Sequence, residues 1–119
     1  MKLIKSFGYA LQGIKYCFKT QLNFRIHLLA IVVVVAAGFI FAISNTEWLF
    51  VVACCMAVLT AEMLNTAIEK LCDTVTKEQH PLIKIIKDTA AGAVLVGAAG
   101  SVVVAAIIFL PKIIAALKI

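Results

Sequence analysis

Residues 48–71 read Trp-Leu-Phe-Val-Val-Ala-Cys-Cys-Met-Ala-Val-Leu-Thr-Ala-Glu-Met-Leu-Asn-Thr-Ala-Ile-Glu-Lys-Leu. The charge-free part, 48–61, is 14 residues long, and a bilayer core needs about 20 apolar residues as helix. No proline or glycine interrupts the stretch. The helix is therefore predicted to run on to about Leu71, carrying Glu62, Asn65 and Glu69 with it. A polar group held in hydrocarbon needs a partner or a wet cavity and marks a functional site by default.

Working outward, two more stretches lack charge: Leu28 to Thr46, 19 residues, and Thr89 to Pro111, 23 residues. Both are long enough to cross a bilayer, where only a closed backbone hydrogen-bond pattern such as a helix is tolerated. The predicted spans are 28–46, 48–71 and 88–111. Upstream, residues 1–27 place Leu3, Ile4, Phe7, Leu11, Ile14 and Phe18 on one helical face and Lys2, Lys5, Lys15 and Lys19 beside or opposite it, the pattern of an amphipathic helix lying in the membrane surface. Cations continue to Arg25, no A-x-A-like site closes an apolar run and more spans follow, so a cleavable signal peptide is not the reading. The fold class expected is an all-α membrane protein, an amphipathic surface helix plus three transmembrane helices, forming one domain over 1–119.

Composition agrees. Apolar residues make up 64% of the chain and charged residues 14%, with a net charge of +5, against about half and a quarter in soluble domains. The cations flank apolar runs and suit anionic lipid headgroups, so a nucleic-acid partner is not expected. Cys17, Cys54, Cys55 and Cys72 show no metal-ligand spacing and read as small packing residues. Five Lys/Arg precede the first span and Lys70, Lys77, Lys84 and Lys87 lie between the second and third, whereas the loop from Ser44 to Glu47 has none. The positive-inside rule then puts the N-terminus and the loop from 72 to 87 in the cytoplasm, with Lys112 and Lys118 on the minority side. Asp88 is expected at the start of the third span, as its cap or at its positive dipole end. Trp48 is expected to anchor the outer interface.

Glu62, Asn65, Glu69 and Asp73 recur at i, i+3, i+7 and i+11, which lines the three acids on one face with Asn65 to its side. Measured from Trp48, Glu62 lies about 21 Å and Glu69 about 31 Å across, so the first is submerged and the second reaches water. A carboxylate held out of water is the better proton acceptor, as a general base requires. The shallower Glu69 suits a divalent cation. Lys87 and Asp88 sit at the same level, bringing a phosphate-suited cation to the acidic stripe. Ala93, Gly97 and Ser101, with Gly92, Ala99 and Gly100, form a small-residue face for close helix packing. Together these residues suggest phosphoryl transfer from a soluble nucleotide to a lipid, without a Walker A or kinase glycine-rich loop. A proton-coupled transporter using Glu62, or a structural membrane subunit in which Glu62 and Asn65 only bond across helices, is the alternative.

The segment Ala61-Glu62-Met63-Leu64-Asn65-Thr66-Ala67-Ile68-Glu69 resembles the signature E-x-L-N-[ST]-A-I-E of the small prokaryotic membrane lipid kinases, diacylglycerol kinase and undecaprenol kinase. Lys87-Asp88-Thr89-Ala90-Ala91-Gly92-Ala93-Val94-Leu95 resembles that family's second motif, and Gly8-Tyr9 followed by Gly13 its surface helix. The resemblance implies a homotrimer in the bacterial inner membrane, with active sites between subunits at the cytoplasmic interface, a membrane lipid as acceptor, ATP as co-substrate and Mg2+ as cofactor. It implies Glu62 as general base, Asn65 as a positioning group beside it, Glu69 as magnesium ligand, and Lys87 and Asp88 at the nucleotide, with Tyr9 and Lys2 as further nucleotide contacts. One departure stands out. Where the family usually carries a metal-binding Glu four residues before Arg25, this chain has Gln21, and no acid occurs between Met1 and Ile43. Phe24-Arg25-Ile26-His27 and His80-Pro81-Leu82-Ile83-Lys84 resemble the undecaprenol kinase branch more than the diacylglycerol branch, and both acceptors are retained. His27 and His80 are candidates for headgroup contact.

Overall fold

A computed structural model describes residues 1–118. Four helices follow one another: α1 (Lys2–Thr20), α2 (Leu22–Ile40), α3 (Asn45–Val75) and α4 (Pro81–Ala116). The last three are long and apolar enough to cross a membrane, and α1 leaves Leu3, Ile4, Phe7, Leu11, Ile14 and Phe18 exposed. That uncovered stripe fits a helix whose apolar face is turned to lipid. At about 1.5 Å per residue, the 19 residues of α2 match a bilayer core, while the 31 of α3 and 36 of α4 overshoot it.

The helix bounds differ from the sequence expectation at three places. The surface helix ends at Thr20, and α2 starts at Leu22 rather than Leu28, because Gln21 takes an extended conformation at the joint. Arg25 secures the bend by donating from Nη1 to the carbonyl oxygens of Phe18 and Lys19, at 2.9 and 3.0 Å. Asp88 does not cap the third span. That helix begins at Pro81, whose fixed φ suits a first helical position, and His80 caps it by accepting from the Leu82 amide at Nδ1, 3.1 Å. Asp88 sits two turns inside, and the loop shrinks to residues 76–80.

α3 is the spine, packing most extensively on α4 and less so on α2, while α1 lies against α2 and α3. The apolar core gathers at the Ser44 end, where Ile43, Val51, Ile108 and Phe109 are buried. Ser44 and Glu47 form a reciprocal capping box there, Phe41 meets Phe109 edge-on at 6.2 Å, and Ala42 takes φ +49° to close the turn. Trp48 packs onto its own chain. Its indole lies over Gly38, where an added Cβ would come within 2.5 Å of the ring, and beside Phe39 at 4.9 Å between centroids. Lys112 reaches Glu47 Oε2 at 3.0 Å, so one of the two minority-side cations is paired.

Candidate active site

The other end of α3 carries the polar stripe. Glu62 is buried, at 4% exposure, and so is Thr66 one turn on. The Thr66 hydroxyl donates to the Glu62 backbone carbonyl at 3.0 Å, which leaves the Glu62 carboxylate to other groups. The partner comes from α2, where His27 Nε2 lies 3.3 Å from Glu62 Oε1. The sequence reading placed His27 among headgroup contacts and missed this pairing. Thirty-five positions separate the two residues, and neither period nor motif links them.

Asn65 donates from Nδ2 to Glu69 Oε1 at 3.3 Å, and its own Oδ1 is buried without a partner. Buried polar oxygens almost always find a donor, so this one is available for a ligand. This oxygen and the Glu69 carboxylate are donors of the hardness Mg2+ prefers, and they would hold it together with waters and substrate phosphate oxygens. The donor chemistry fits. Among the described residues, no cluster of three or more His, Cys, Asp or Glu forms a complete cage.

Where α3 leaves the last turns and α4 begins, a recess of about 600 Å³ is lined by Asp73, Lys77, His80, Lys84, Lys87 and Asp88 among others. Lys87 Nζ donates to Asp73 Oδ1 at 2.6 Å and Lys84 Nζ to Asp88 Oδ2 at 2.5 Å. The hydrogen bond from Lys87 holds the Asp73 carboxyl below its ordinary value, and the same bond holds the Lys87 ammonium above its own. Both pairs are largely solvent-exposed, where an ion pair contributes little and exchanges readily. An incoming triphosphate can therefore take over the lysines.

The remaining candidates lie apart from these groups. Gln21 sits at the α1–α2 joint, its Nε2 donating to Thr20 Oγ1 at 3.0 Å, with no polar contact to Glu69. Tyr9 is 68% exposed on α1, and neither it nor the Lys2 side chain makes a hydrogen bond or ion pair with Lys87 or Asp88 among the described residues. Cys17 is buried against α3 near Thr66, and burial pushes its thiol above the ordinary value. The four cysteines are free, Cys17 and Cys72 buried and Cys54 and Cys55 half-buried.

The profile of the family described as prokaryotic diacylglycerol kinase matches residues 8–109. The chain belongs to that family. Undecaprenol kinase of Bacillus subtilis (strain 168) is 40% identical over 112 residues, covering 94% of this chain and 91% of that protein. Diacylglycerol kinase of Synechocystis sp. is 40% identical over 113 residues, covering 94% of this chain and 65% of a longer protein. Diacylglycerol kinase of Pseudomonas aeruginosa is 35% identical over 92 residues, 77% of this chain and 75% of that one. As a member of the family the chain is a membrane lipid kinase, with a lipid substrate and ATP as co-substrate. Neither the transporter nor the structural-subunit alternative is favoured.

Proposed function

We propose that the chain works in the bacterial inner membrane as a homotrimeric kinase that transfers the γ-phosphate of MgATP to the primary hydroxyl of diacylglycerol or undecaprenol. The observation that carries this reading is the buried carboxylate of Glu62, set one to two turns from the Asn65–Glu69 pair and on the same helix as Asp73, which meets Lys87. Glu62 takes the hydroxyl proton as the new O–P bond forms and the bond from the γ-phosphorus to the β,γ-bridging oxygen breaks, releasing ADP. Lys87 leaves Asp73 for the phosphates, and Asp88 completes the nucleotide site with Lys84 beside it. Glu69 and the Asn65 carbonyl would hold Mg2+, which would supply charge neutralisation on the phosphates. Water is kept from the base by its burial among apolar spans.

The cation count supports a cytoplasmic N-terminus and α3–α4 loop, with nine Lys/Arg there against Lys112 and Lys118. The trimer is supported by what one copy leaves unfinished. Gly92 and Gly100 on α4 face open space, and a Cβ added at Gly97 would reach no closer than 4.0 Å to Val58, so the small-residue face predicted for close packing keeps room within one copy.

The test is label transfer from ATP in mixed micelles with magnesium, offering diacylglycerol and undecaprenol separately and together. Preferential labelling of one lipid identifies the acceptor, and no labelling of either by folded protein contradicts the reading. Gln21→Glu adds a carboxylate where the family usually has one and is expected to lower the magnesium concentration for half-maximal activity. An unchanged magnesium titration contradicts a metal role for that position.

A further inference from the structure

We propose that His27 is the positioning residue for Glu62, an inference that rests on Glu62 being the base. A carboxylate buried to this degree is costly unless another group compensates it. Its neighbours on α3 are committed elsewhere, the Thr66 hydroxyl to a backbone carbonyl and the Asn65 amide to Glu69. From α1 the nearest titratable group is the Cys17 thiol, close to Thr66 and carrying no compensating charge. α4 runs antiparallel to α3, with Gly97 against Val58 and Lys87 against Asp73, so it passes Glu62 at about Val94 and offers no polar side chain there. That leaves His27 of α2, at 3.3 Å.

The contact is one-sided, and the asymmetry matters for the reaction. His27 Nε2 faces Oε1, which fixes the carboxylate plane and leaves Oε2 for the acceptor hydroxyl, as outer partners orient metal-binding and catalytic groups elsewhere. The imidazole is 22% exposed, so the ring reaches water while touching a buried acid. It also lines one part of an apolar cavity of about 230 Å³ between α2, α3 and α4, among Ile31, Val34, Cys55 and Val58. Without the ring the carboxylate loses the one cationisable side chain that another helix brings to it among the described residues.

The experiment compares His27→Ala, His27→Gln and Glu62→Gln, each alone and His27→Ala combined with Glu62→Gln, in micelles with ATP, magnesium and lipid. His27→Ala is expected to lower kcat roughly 10- to 100-fold, with KM for ATP and for lipid within about twofold. His27→Gln, which keeps an N–H donor of similar reach, is expected to recover to within about fivefold of wild type. On the Glu62→Gln background, His27→Ala is expected to have no further effect, because there is no base left to position. A His27→Ala enzyme within twofold of wild type, or one whose loss lies in the lipid KM, overturns the proposal. Equal losses in Ala and Gln also overturn it, since they assign His27 a titrating rather than a positioning role. An active Glu62→Gln enzyme instead defeats the base assignment beneath it. If the Ala variant fails to assemble, the imidazole nitrogen resonances of His27 in wild type and in Glu62→Gln decide the matter. Contact predicts that they differ, and identical spectra overturn it.

Discussion

At the Ser44 end of α3 the polar groups are matched inside the chain. Glu47 accepts from the Ser44 amide and from Lys112, Ser44 accepts from the Glu47 amide, and the Trp48 indole fills the space over Gly38. At the Glu62 end the Asn65 carbonyl has no donor, a buried carboxylate faces a single histidine, and the lysines hold partners through exposed, exchangeable ion pairs. One helix thus has an end completed for packing and an end left ready for ligands. Substitutions at the first are expected to change stability with little direct effect on turnover, and substitutions at the second the reverse.

The largest effect is expected at the open end. Glu69→Ala removes the charged half of the oxygen set beside Asn65 and is expected to lower kcat/KM at fixed magnesium roughly 10²- to 10³-fold, with thermal unfolding in detergent unchanged. Activity within tenfold of wild type breaks the contrast. At the closed end, Gly38→Val drives methyl groups into the Trp48 ring and is expected to destabilise by about 1–3 kcal/mol, read as a lowered Tm with kcat retained in the folded fraction. Ser44→Ala removes half of the capping box and is expected to cost about 1 kcal/mol, read the same way; an unchanged Tm contradicts the cap's contribution.

The smallest effect belongs to the Asp73–Lys87 pair, which is exposed and screened by salt. Asp73 titrates below its ordinary value and Lys87 above its own. The pair's contribution is therefore present across neutral pH. It is lost on acidification as pH falls through the depressed Asp73 value, and on alkalinisation as pH rises through the raised Lys87 value. Unfolding of wild type and Asp73→Asn followed against pH is expected to differ slightly on the neutral plateau and to converge in acid. A difference that grows in acid contradicts the sign.

Much of this contrast was legible in the residues. The apolar runs announced the three spans, and the spacing of Glu62, Asn65, Glu69 and Asp73 announced a single stripe because a continuous helix fixes its own angular register. The motif residues carried the family. The start of α4 is harder to read because Lys84 and Lys87 resemble loop ahead of the apolar run, although His80-Pro81 is a helix-start signal that holds when the first turns lie outside the apolar core. The His27–Glu62 contact was out of reach, since which face of α2 meets which face of α3 depends on packing and no local pattern encodes it. The seating of Trp48 on Gly38 was hidden for the same reason, and so was the Lys112–Glu47 pair, formed across 65 positions.

The central claim is that the buried acid of the open end does the chemistry, and Glu62→Gln tests it most directly because it removes the base while keeping the shape. Label transfer from ATP to lipid by the assembled variant is predicted to fall below a few per cent of wild-type turnover. Turnover above that level, from protein of unchanged helicity and Tm, contradicts the account.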